Sequence, residues 1–314
     1  MDDKKTDSQV GEKSDSNIPL KEDKDSVVEN NNKKKYDKLI MSGGGIKGIS
    51  HLGALYALQQ LQYLNNFEMF SGTSIGGLIS ILYVIGYTPA KLYEFIKLFD
   101  MSKTRDIGIV NIFKKFGLDS GEKLEKAFKK MIVKTGLKEN ISLKELFDIK
   151  KKKIIITTVC INTEEICYIS HENFPDLPVY LAMRMTSSIP GYYCPVEYKG
   201  YLYIDGALID NYPHKPFKNN LEDAIGLLLI DAKTTTEKIE DVETYFMKVF
   251  KCMMIGMDYH CKQGFECNTI DIHVENINVM TFNINDEKID ELFLKGFNAV
   301  MSYFNTWLFH IIFS

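Results

Sequence analysis

The sequence has little of what marks several common protein classes. It holds six cysteines in 314 residues and none of them forms a CxxC pair, which argues against a zinc ribbon. Its 38 basic and 42 acidic residues leave a formal net charge of −4. A nucleic-acid binder would show a basic excess instead, so we expect no nucleic-acid partner. No calcium-loop pattern is present either, and no metal is expected.

An apolar leader and long hydrophobic runs are also missing. Without a secretory signal the default location is a reducing, intracellular compartment, so we predict a cytoplasmic protein with free thiols and leave peripheral membrane contact open. The most apolar stretch, residues 303–314, is too short for a membrane span. It is interpreted as a terminal helix packed on the core, with contact to a membrane surface as the alternative.

Short apolar strands and helical segments alternate along most of the remaining chain. Residues 1–35 are nearly all polar and are predicted to form a disordered tail. Strands are predicted at 38–42, 68–71, 153–161, 198–204, 224–231 and 269–274, and residues 87–150 are predicted to be mainly helical. This alternation predicts an α/β layered fold built on a largely parallel sheet.

A glycine-rich loop at residues 43–48 leaves the first predicted strand and enters a helix. Its glycines allow a tight turn whose N–H groups can hold a phosphate or a developing oxyanion. The spacing also fits a dinucleotide fingerprint with Glu68 as the ribose-binding acid, although residues 65–67 make a poor strand end. A Walker A loop is excluded because Ile49 follows Gly48. Alone, the loop leaves the dinucleotide and oxyanion interpretations open.

A second motif, G-x-S-x-G, follows at residues 72–76, between a predicted strand and a very apolar helix. Strand, tight turn and helix are the context of a nucleophile elbow, which would expose Ser74 at a helix N-terminus. Gly72 and Gly76 would keep neighbouring atoms clear of the serine. The alternative is an ordinary helix start with Ser74 as N-cap. The glycine loop one helix earlier favours the nucleophile.

The third motif is Asp205-Gly206-Ala207, directly after a predicted strand. An acid at the carboxyl end of a sheet strand lies where α/β proteins build their sites. Gly206 permits a sharp turn that would aim the carboxylate inward. The alternative is an Asp-Gly hairpin turn, which is the commoner structure for this dipeptide taken alone.

In this order, the three motifs resemble the pattern of the patatin-like phospholipase family. That family combines a G-G-G-x-[RK]-G loop, a G-x-S-x-G elbow and a D-G-[GA] motif, and all three are unbroken here. The resemblance covers residues 36–217, including a helix-ending Ser-x-x-Pro region at 185–190. It implies a three-layer fold with a mainly parallel central sheet between helices. Residues 36–217 would form the catalytic domain, and residues 218–314 would complete it.

The resemblance implies a Ser–Asp dyad without histidine, cofactor or metal. Ser74 would attack the ester carbonyl, and Asp205 would accept its proton and later activate water. The implied oxyanion hole uses backbone N–H groups from the loop and the elbow: Gly43, Gly44, Gly45, Gly48 and Ile75. The motif-supporting positions are Lys47, Gly72, Gly76, Gly206 and Ala207. Lys47 would either add positive potential near an anionic head group or lie solvated at the surface.

The implied substrates are glycerolipid esters, such as phospholipids or lysophospholipids, reached by transient contact with a lipid surface. Because a free aspartate with a pKa of about 4 is a poor base, the dyad requires a desolvated Asp205 within reach of Ser74. A Ser74–Asp205–His260 triad has the chain order of an α/β-hydrolase, but the oxyanion loop of that class does not precede the elbow by one helix. An acyltransferase with the same dyad and a catalytically silent lipid-binding protein are further alternatives. The sequence does not fix the oligomeric state.

Overall fold

Strands and helices alternate along the chain, as the sequence predicts. The structure, a computed structural model, describes residues 34–99, 101–231, 238–258, 262–274 and 284–313, so the predicted tail lies outside the described residues up to residue 33. The strands are β1 (Lys38–Met41), β2 (Met69–Thr73), β3 (Gly117–Asp119), β4 (Lys153–Cys160), β5 (Glu165–Ile169), β6 (Gly191–Tyr193), β7 (Val196–Tyr198), β8 (Tyr201–Asp205), β9 (Ala224–Asp231) and β10 (Thr269–Val274). The helices are α1 (Ile49–Gln60), α2 (Ile75–Ile85), α3 (Pro89–Leu98), α4 (Ile109–Lys115), α5 (Glu122–Lys134), α6 (Leu143–Lys150), α7 (Val179–Thr186), α8 (Val242–Asp258) and α9 (Asp286–Phe313).

One large sheet organises the molecule, with strand order β10-β9-β1-β2-β4-β8-β7 and β5 added to β4. The strands from β10 to β4 are joined in parallel, whereas β5, β7 and β8 are joined antiparallel. β1 lies between β9 and β2, and all four of its residues are buried. A mostly apolar strand buried along its whole length is typical of a parallel sheet covered on both faces. The predicted α/β fold, with a mainly parallel sheet flanked by helices, is therefore confirmed.

Helices α1 and α9 pack so closely that glycine is required where they meet. A Cβ on Gly53 would lie 1.8 Å from the carbonyl oxygen of Phe293, and a Cβ on Gly296 would lie 1.7 Å from that of Ser50. Both distances are far below van der Waals contact, so a larger residue at either position would force the helices apart. The contact fixes α1, which begins directly after the glycine loop.

A smaller sheet pairs β3 with β6 in parallel and differs from the predicted helical character of residues 87–150. The fully buried Asp119 closes the loop around α4, because its carboxylate accepts N–H bonds from Asp106 at 2.6 Å and from Gly121 at 2.8 Å. β3 has three residues, which is too short for an alternation of apolar and polar residues to indicate a strand. Its partner lies far along the chain, so local pattern does not reveal it.

The predicted strand at residues 198–204 is confirmed from residue 201 onward as β8, but its first three residues include the end of β7 and a hairpin turn. β7 ends at Tyr198 and β8 begins at Tyr201, and the two residues between them, Lys199 and Gly200, have φ of 51° and 81°. Positive φ at both central residues fits the tight two-residue turns of β-hairpins. The turn reverses the chain, so that β8 runs antiparallel to β4 and carries Asp205 to its end.

The carboxyl-terminal segment continues α9 to Phe313, after β9 and β10 have joined the main sheet. Phe304 is buried and stacks on Tyr63 with a centroid distance of 4.6 Å. The structure describes the helical backbone to Phe313 but not the side chains from Thr306 onward. Core packing and membrane contact of those side chains both stay predictions. Within the described ranges, no individual helix has the length and hydrophobicity of a membrane span. Among the helices that the structure describes, α2 and α3 taken together, with a bend of 117° between them, are the only pair that satisfies those criteria of length and composition.

Candidate active site

Ser74 occupies a strained turn between β2 and α2. Its φ of 52° and ψ of −124° form a combination that residues with a side chain rarely adopt, as a nucleophile elbow requires. A Cβ on Gly72 would lie 2.5 Å from the carbonyl carbon of Gly76, and a Cβ on Gly76 would lie 2.4 Å from the carbonyl oxygen of Met41. Both motif glycines are therefore needed for close packing. Ser74 occupies the N-cap position of α2, as the alternative predicted, but its side chain makes no capping hydrogen bond, so capping does not occupy the hydroxyl.

The backbone of the elbow is held by Thr186, the last residue of α7. The Ser74 N–H donates to Thr186 Oγ1 at 2.8 Å, and that hydroxyl donates in turn to the carbonyl oxygen of Thr157 at 2.9 Å. Thr186 is completely buried, so water does not compete for these bonds. Sequence reasoning placed this residue in the Ser-x-x-Pro region but assigned it no role. Its contacts depend on residues far apart in the chain.

Strand β4 brings the second and third motifs together. Thr157 pairs with Thr73, the residue before Ser74, and the next residue, Thr158, pairs with Asp205. The elbow and the acid thus meet at consecutive positions of one strand. The Asp205 N–H also donates to the carbonyl oxygen of Ser188 at 2.9 Å, which ties the end of β8 to the segment after α7.

Asp205 is followed by a 3-10 turn over Gly206–Leu208 and not by a hairpin, so the hairpin alternative is wrong. A Cβ on Gly206 would lie 2.6 Å from the carbonyl carbon of Thr157, which explains why glycine follows the acid. The chain therefore passes directly over β4 as it leaves the site.

The Asp205 carboxyl group is fully buried, and burial raises its pKa to about 7. The Ala207 N–H, which donates to Oδ1 at 2.9 Å, and the nearby Ser74 side chain both oppose the rise. Oδ2 accepts no hydrogen bond from the described residues, so the Ser74 hydroxyl lies near the carboxyl group without a complete hydrogen bond to this oxygen. Such contacts commonly tighten when substrate binds.

The glycine loop lies against the elbow, but its N–H groups are not equivalent. The Gly43 N–H donates to the carbonyl oxygen of Asn211 at 3.0 Å, so it is not available to an oxyanion and that prediction is wrong. The N–H groups of Gly44 and Gly45 have no acceptor within the part of the chain that the structure describes. The φ of 56° at Gly45 is in the left-handed region that favours glycine.

Gly48 serves packing, because a Cβ there would lie 2.1 Å from Cγ1 of Ile75. Gly48 is the last residue of the 3-10 turn of the loop and the N-cap of α1, and its predicted role as an oxyanion donor stays a prediction. Ile75 begins α2, and its N–H is one of the first-turn donors that a helix leaves unpaired. The elbow and the loop together present the N–H groups of Gly44, Gly45 and Ile75.

The structure also bears on two charged residues, Glu68 and Lys47, to which the sequence analysis gave roles. Glu68 precedes β2 and is exposed, whereas the ribose-binding acid of a dinucleotide site ends the second strand, so the dinucleotide interpretation is wrong. Lys47 is buried and forms an ion pair with Asp231 at the end of β9, so it is not a solvated surface lysine. The pairing neutralises much of its charge and ties the loop to the sheet.

Among the described residues, the hydrogen bond to the Asp205 carboxyl group comes from the Ala207 N–H and not from a histidine. His51 is buried with Nε2 2.9 Å from the carbonyl oxygen of Ser42, and burial lowers its pKa to about 4. His260, the proposed third member of a triad, lies outside the described residues. No group of three metal-ligating side chains occurs within the described ranges.

Comparison with known proteins places these motifs in one family. A sequence model described as patatin-like phospholipase matches residues 39–218, which include all three motifs. An uncharacterized protein of Acanthamoeba polyphaga mimivirus is 31% identical over 60% of this chain and 64% of its own length. A protein of Invertebrate iridescent virus 6 named a probable lipid hydrolase is 29% identical over 57% of this chain and 62% of its own length. The chain thus matches slightly less than two thirds of each of these relatives.

Among solved structures, VipD from Legionella pneumophila superposes with a TM-score of 0.62. The match covers 87% of this chain and 67% of that one, at 14% sequence identity. At this identity the likeness shows that the two proteins share a fold.

Proposed function

This chain belongs to the patatin-like phospholipase family, and from that premise we propose that it is a serine hydrolase of glycerolipid esters, such as those of phospholipids or lysophospholipids. Ser74 is the nucleophile and Asp205 is the general base. One observation carries the proposal: a serine on a strained turn lies beside a fully buried carboxyl group whose pKa is raised to about 7. A general base works best with a pKa near the working pH, and an ordinary aspartate does not meet that condition.

The reaction proceeds in two halves. The Ser74 hydroxyl transfers its proton to Oδ2 of Asp205 as its oxygen bonds to the ester carbonyl carbon. Asp205 then gives the proton to the departing alcohol, and the acyl group stays on the serine. A water molecule enters, loses a proton to Asp205 and attacks the acyl carbon. The proton returns to Ser74 as the fatty acid leaves.

The negative charge on the carbonyl oxygen is stabilised by the N–H groups of Gly44, Gly45 and Ile75. They belong to the glycine loop and to a helix N-terminus, and donors that the backbone holds in place need little reorganisation when charge develops. Loss of one such donor typically costs about 3 kcal/mol of transition-state stabilisation.

Thr186 is a positioning residue in this scheme. Its hydroxyl holds the Ser74 N–H, which keeps the serine in its strained conformation and removes that N–H from the oxyanion donors. The second bond of the hydroxyl, to Thr157, anchors the elbow to the strand that also pairs with Asp205. The threonine thereby fixes the nucleophile relative to its base.

A fluorophosphonate probe tests the nucleophile, because it reacts rapidly only with an activated serine. We expect wild-type protein to be labelled, Ser74→Ala to stay unlabelled and Asp205→Asn to react far more slowly. The control is Ser71→Ala, which removes a nearby buried hydroxyl whose bond goes to the carbonyl oxygen of Pro213 at 2.8 Å. Undiminished labelling of Ser74→Ala, located to another serine by mass spectrometry, would overturn the assignment.

The reaction class is tested with phospholipid and lysophospholipid vesicles. We expect wild-type protein to release free fatty acid and Ser74→Ala to release none. If the acyl chain is recovered mainly on an added lipid alcohol, the protein transfers acyl groups and hydrolysis is not its main reaction.

A further inference from the structure

An exposed apolar surface lies on α4 and α8, outside the catalytic residues. Its first part comprises α4 and its flanks, where the exposed apolar residues are Ile107, Ile109, Val110, Phe113 and Phe116. Phe113 is 83% exposed, and no residue of α4 is buried. Large apolar side chains that contact no core do not stabilise the fold, and when they cluster they mark an interaction site.

Helix α8 contributes the second part of this surface. Val242, Tyr245, Val249 and Met253 follow one another at intervals of three or four residues, so they lie along one face of the helix, and all four are exposed. Phe246 lies on the same side of the helix and packs over Gly191 of β6, where a Cβ on the glycine would lie 3.0 Å from the ring. The helix therefore contacts the protein through this ring, while the apolar side chains beside it stay exposed.

Two contacts join the parts and place them beside the proposed active site. Arg105, just before α4, forms an ion pair with Glu243 in the first turn of α8, at 2.6 Å. Helix α8 also contacts the 3-10 turn Gly206–Leu208, which directly follows Asp205. Helix α8, the second part of the apolar surface, therefore borders the segment that follows the general base.

The charge of the first part indicates what this surface contacts. Residues 107–118 contain no acidic residue, and Lys114 and Lys115 lie in the last turn of α4. Phenylalanine and branched aliphatic residues beside lysines are typical of helices that lie in the interface of a membrane with anionic lipids. We infer that the α4–α8 surface docks on an anionic lipid surface and presents the site to its substrate, an inference that rests on the proposed function.

The test measures binding to vesicles of phosphatidylcholine, alone and mixed with phosphatidylserine, in the Ser74→Ala background so that lipid is not consumed. The double change Phe113→Ser, Phe116→Ser should lower vesicle partitioning by about tenfold or more, from the lost burial of two aromatic rings. The matched control is Ile149→Ser, Ile161→Ser, which removes two apolar residues that are 59% and 45% exposed outside this surface. It should leave partitioning unchanged.

A second pair of variants tests the charge. Lys114→Gln should lower binding to phosphatidylserine-containing vesicles about fivefold, the effect of about 1 kcal/mol for one lysine, and leave binding to phosphatidylcholine alone unaltered. Lys115 forms an ion pair with Glu122 at 3.2 Å, so Lys115→Gln should have a smaller effect. With Ser74 restored, the phenylalanine variant should lose activity on vesicles but keep it on a monomeric, water-soluble ester.

Equal partitioning of the phenylalanine variant and the wild type would overturn the inference. So would a wild-type dimer that the phenylalanine variant converts to monomer, since the surface would then bind a second copy of the chain. If docking is observed but the wild type hydrolyses no lipid, the proposed function fails and the docking surface stands.

Discussion

The region around Ser74 and the α4–α8 surface distribute polar and apolar groups in opposite ways. Around the serine, polar groups are buried, and Thr73, Thr157, Thr186 and Asp205 have no exposed surface. On α4, apolar groups are exposed, and Phe113 keeps most of its surface in water. Both arrangements depart from what stability favours, which is apolar groups inside and polar groups outside. The two regions should therefore tolerate substitution differently. The buried polar groups around Ser74 depend on specific hydrogen-bond partners, whereas the exposed apolar groups on α4 depend only on being hydrophobic.

The largest expected effect is that of Asp205→Asn on catalysis. The amide cannot accept the serine proton, so kcat/KM on a soluble ester should fall roughly 10³- to 10⁴-fold, as in other serine hydrolases that lose the acid of the site. In the wild type, kcat/KM should fall about tenfold per pH unit below the raised pKa of about 7, since the base becomes protonated.

The residual activity of Asp205→Asn should not follow that acid limb. Near-normal activity of the variant, or a wild-type profile that stays flat down to pH 5, would show that another group is the base. His260 would then be the first candidate to replace. The comparison between the two regions would then fail for the region around Ser74, because catalysis would not explain why Asp205 is buried.

The same substitution should also reveal the stability effect of burying the acid. A carboxyl group whose pKa is raised on folding binds its proton more tightly in the folded state, so its contribution to stability is greatest at low pH and is lost as pH rises from about 4 to about 7. Asp205→Asn removes this dependence. Relative to wild type, its free energy of unfolding should improve by roughly 3 kcal/mol between pH 5 and pH 8.

Urea unfolding of both proteins at the two pH values measures this difference, and other titrating groups cancel because both proteins share them. A difference that is the same at pH 5 and pH 8 would mean that Asp205 ionises in the folded state as it does in water. The site would then lack an acid whose pKa is raised by burial.

Much of the site could be predicted from sequence, because its signals are local. The loop, the elbow and the Asp-Gly motif each lie within six residues of chain, and their order is preserved. The pairing of Thr73 and Asp205 with consecutive residues of β4 is a long-range register that no local pattern specifies. The role of Thr186 could not be predicted for the same reason, because its two hydrogen-bond partners, Ser74 and Thr157, lie in distant parts of the chain.

The apolar surface was unpredictable for a different reason. In sequence, Ile109, Val110 and Phe113 look like the buried face of a helix, and periodicity alone does not distinguish a face that packs on the core from one that faces solvent. The prediction of membrane contact therefore fell on residues 303–314, whereas the described structure exposes such side chains on α4 and α8.

A smaller effect is expected from the residue that holds the elbow. Thr186→Val keeps the shape of the side chain but removes both hydrogen bonds, so kcat should fall about 10- to 100-fold, the equivalent of roughly 1–3 kcal/mol for buried groups left unpaired. KM should change little, because Thr186 binds the backbone of Ser74. Thr186→Ser retains the hydroxyl and should restore most of the rate.

Stopped assays on a soluble ester, combined with thermal unfolding, separate positioning from simple loss of stability. A valine variant that loses stability but keeps the wild-type kcat would show that Thr186 has a structural role only. Equal loss in the serine and valine variants would show that shape, and not the hydroxyl, is what matters.

The smallest expected effect tests whether an exposed residue of the apolar surface lowers the stability of the protein. Phe116 directly follows α4 with a φ of 63°, a left-handed conformation that favours glycine, and the residue is 65% exposed. Phe116→Gly should therefore raise the free energy of unfolding by about 0.5–1 kcal/mol in urea titrations and weaken vesicle binding. The matched control is Lys151→Gly, at the left-handed end of α6 with a φ of 54°, which should stabilise similarly without affecting vesicles. If Phe116→Gly destabilises the protein while Lys151→Gly does not, the ring packs on the fold, and the contrast between the two regions disappears at this position.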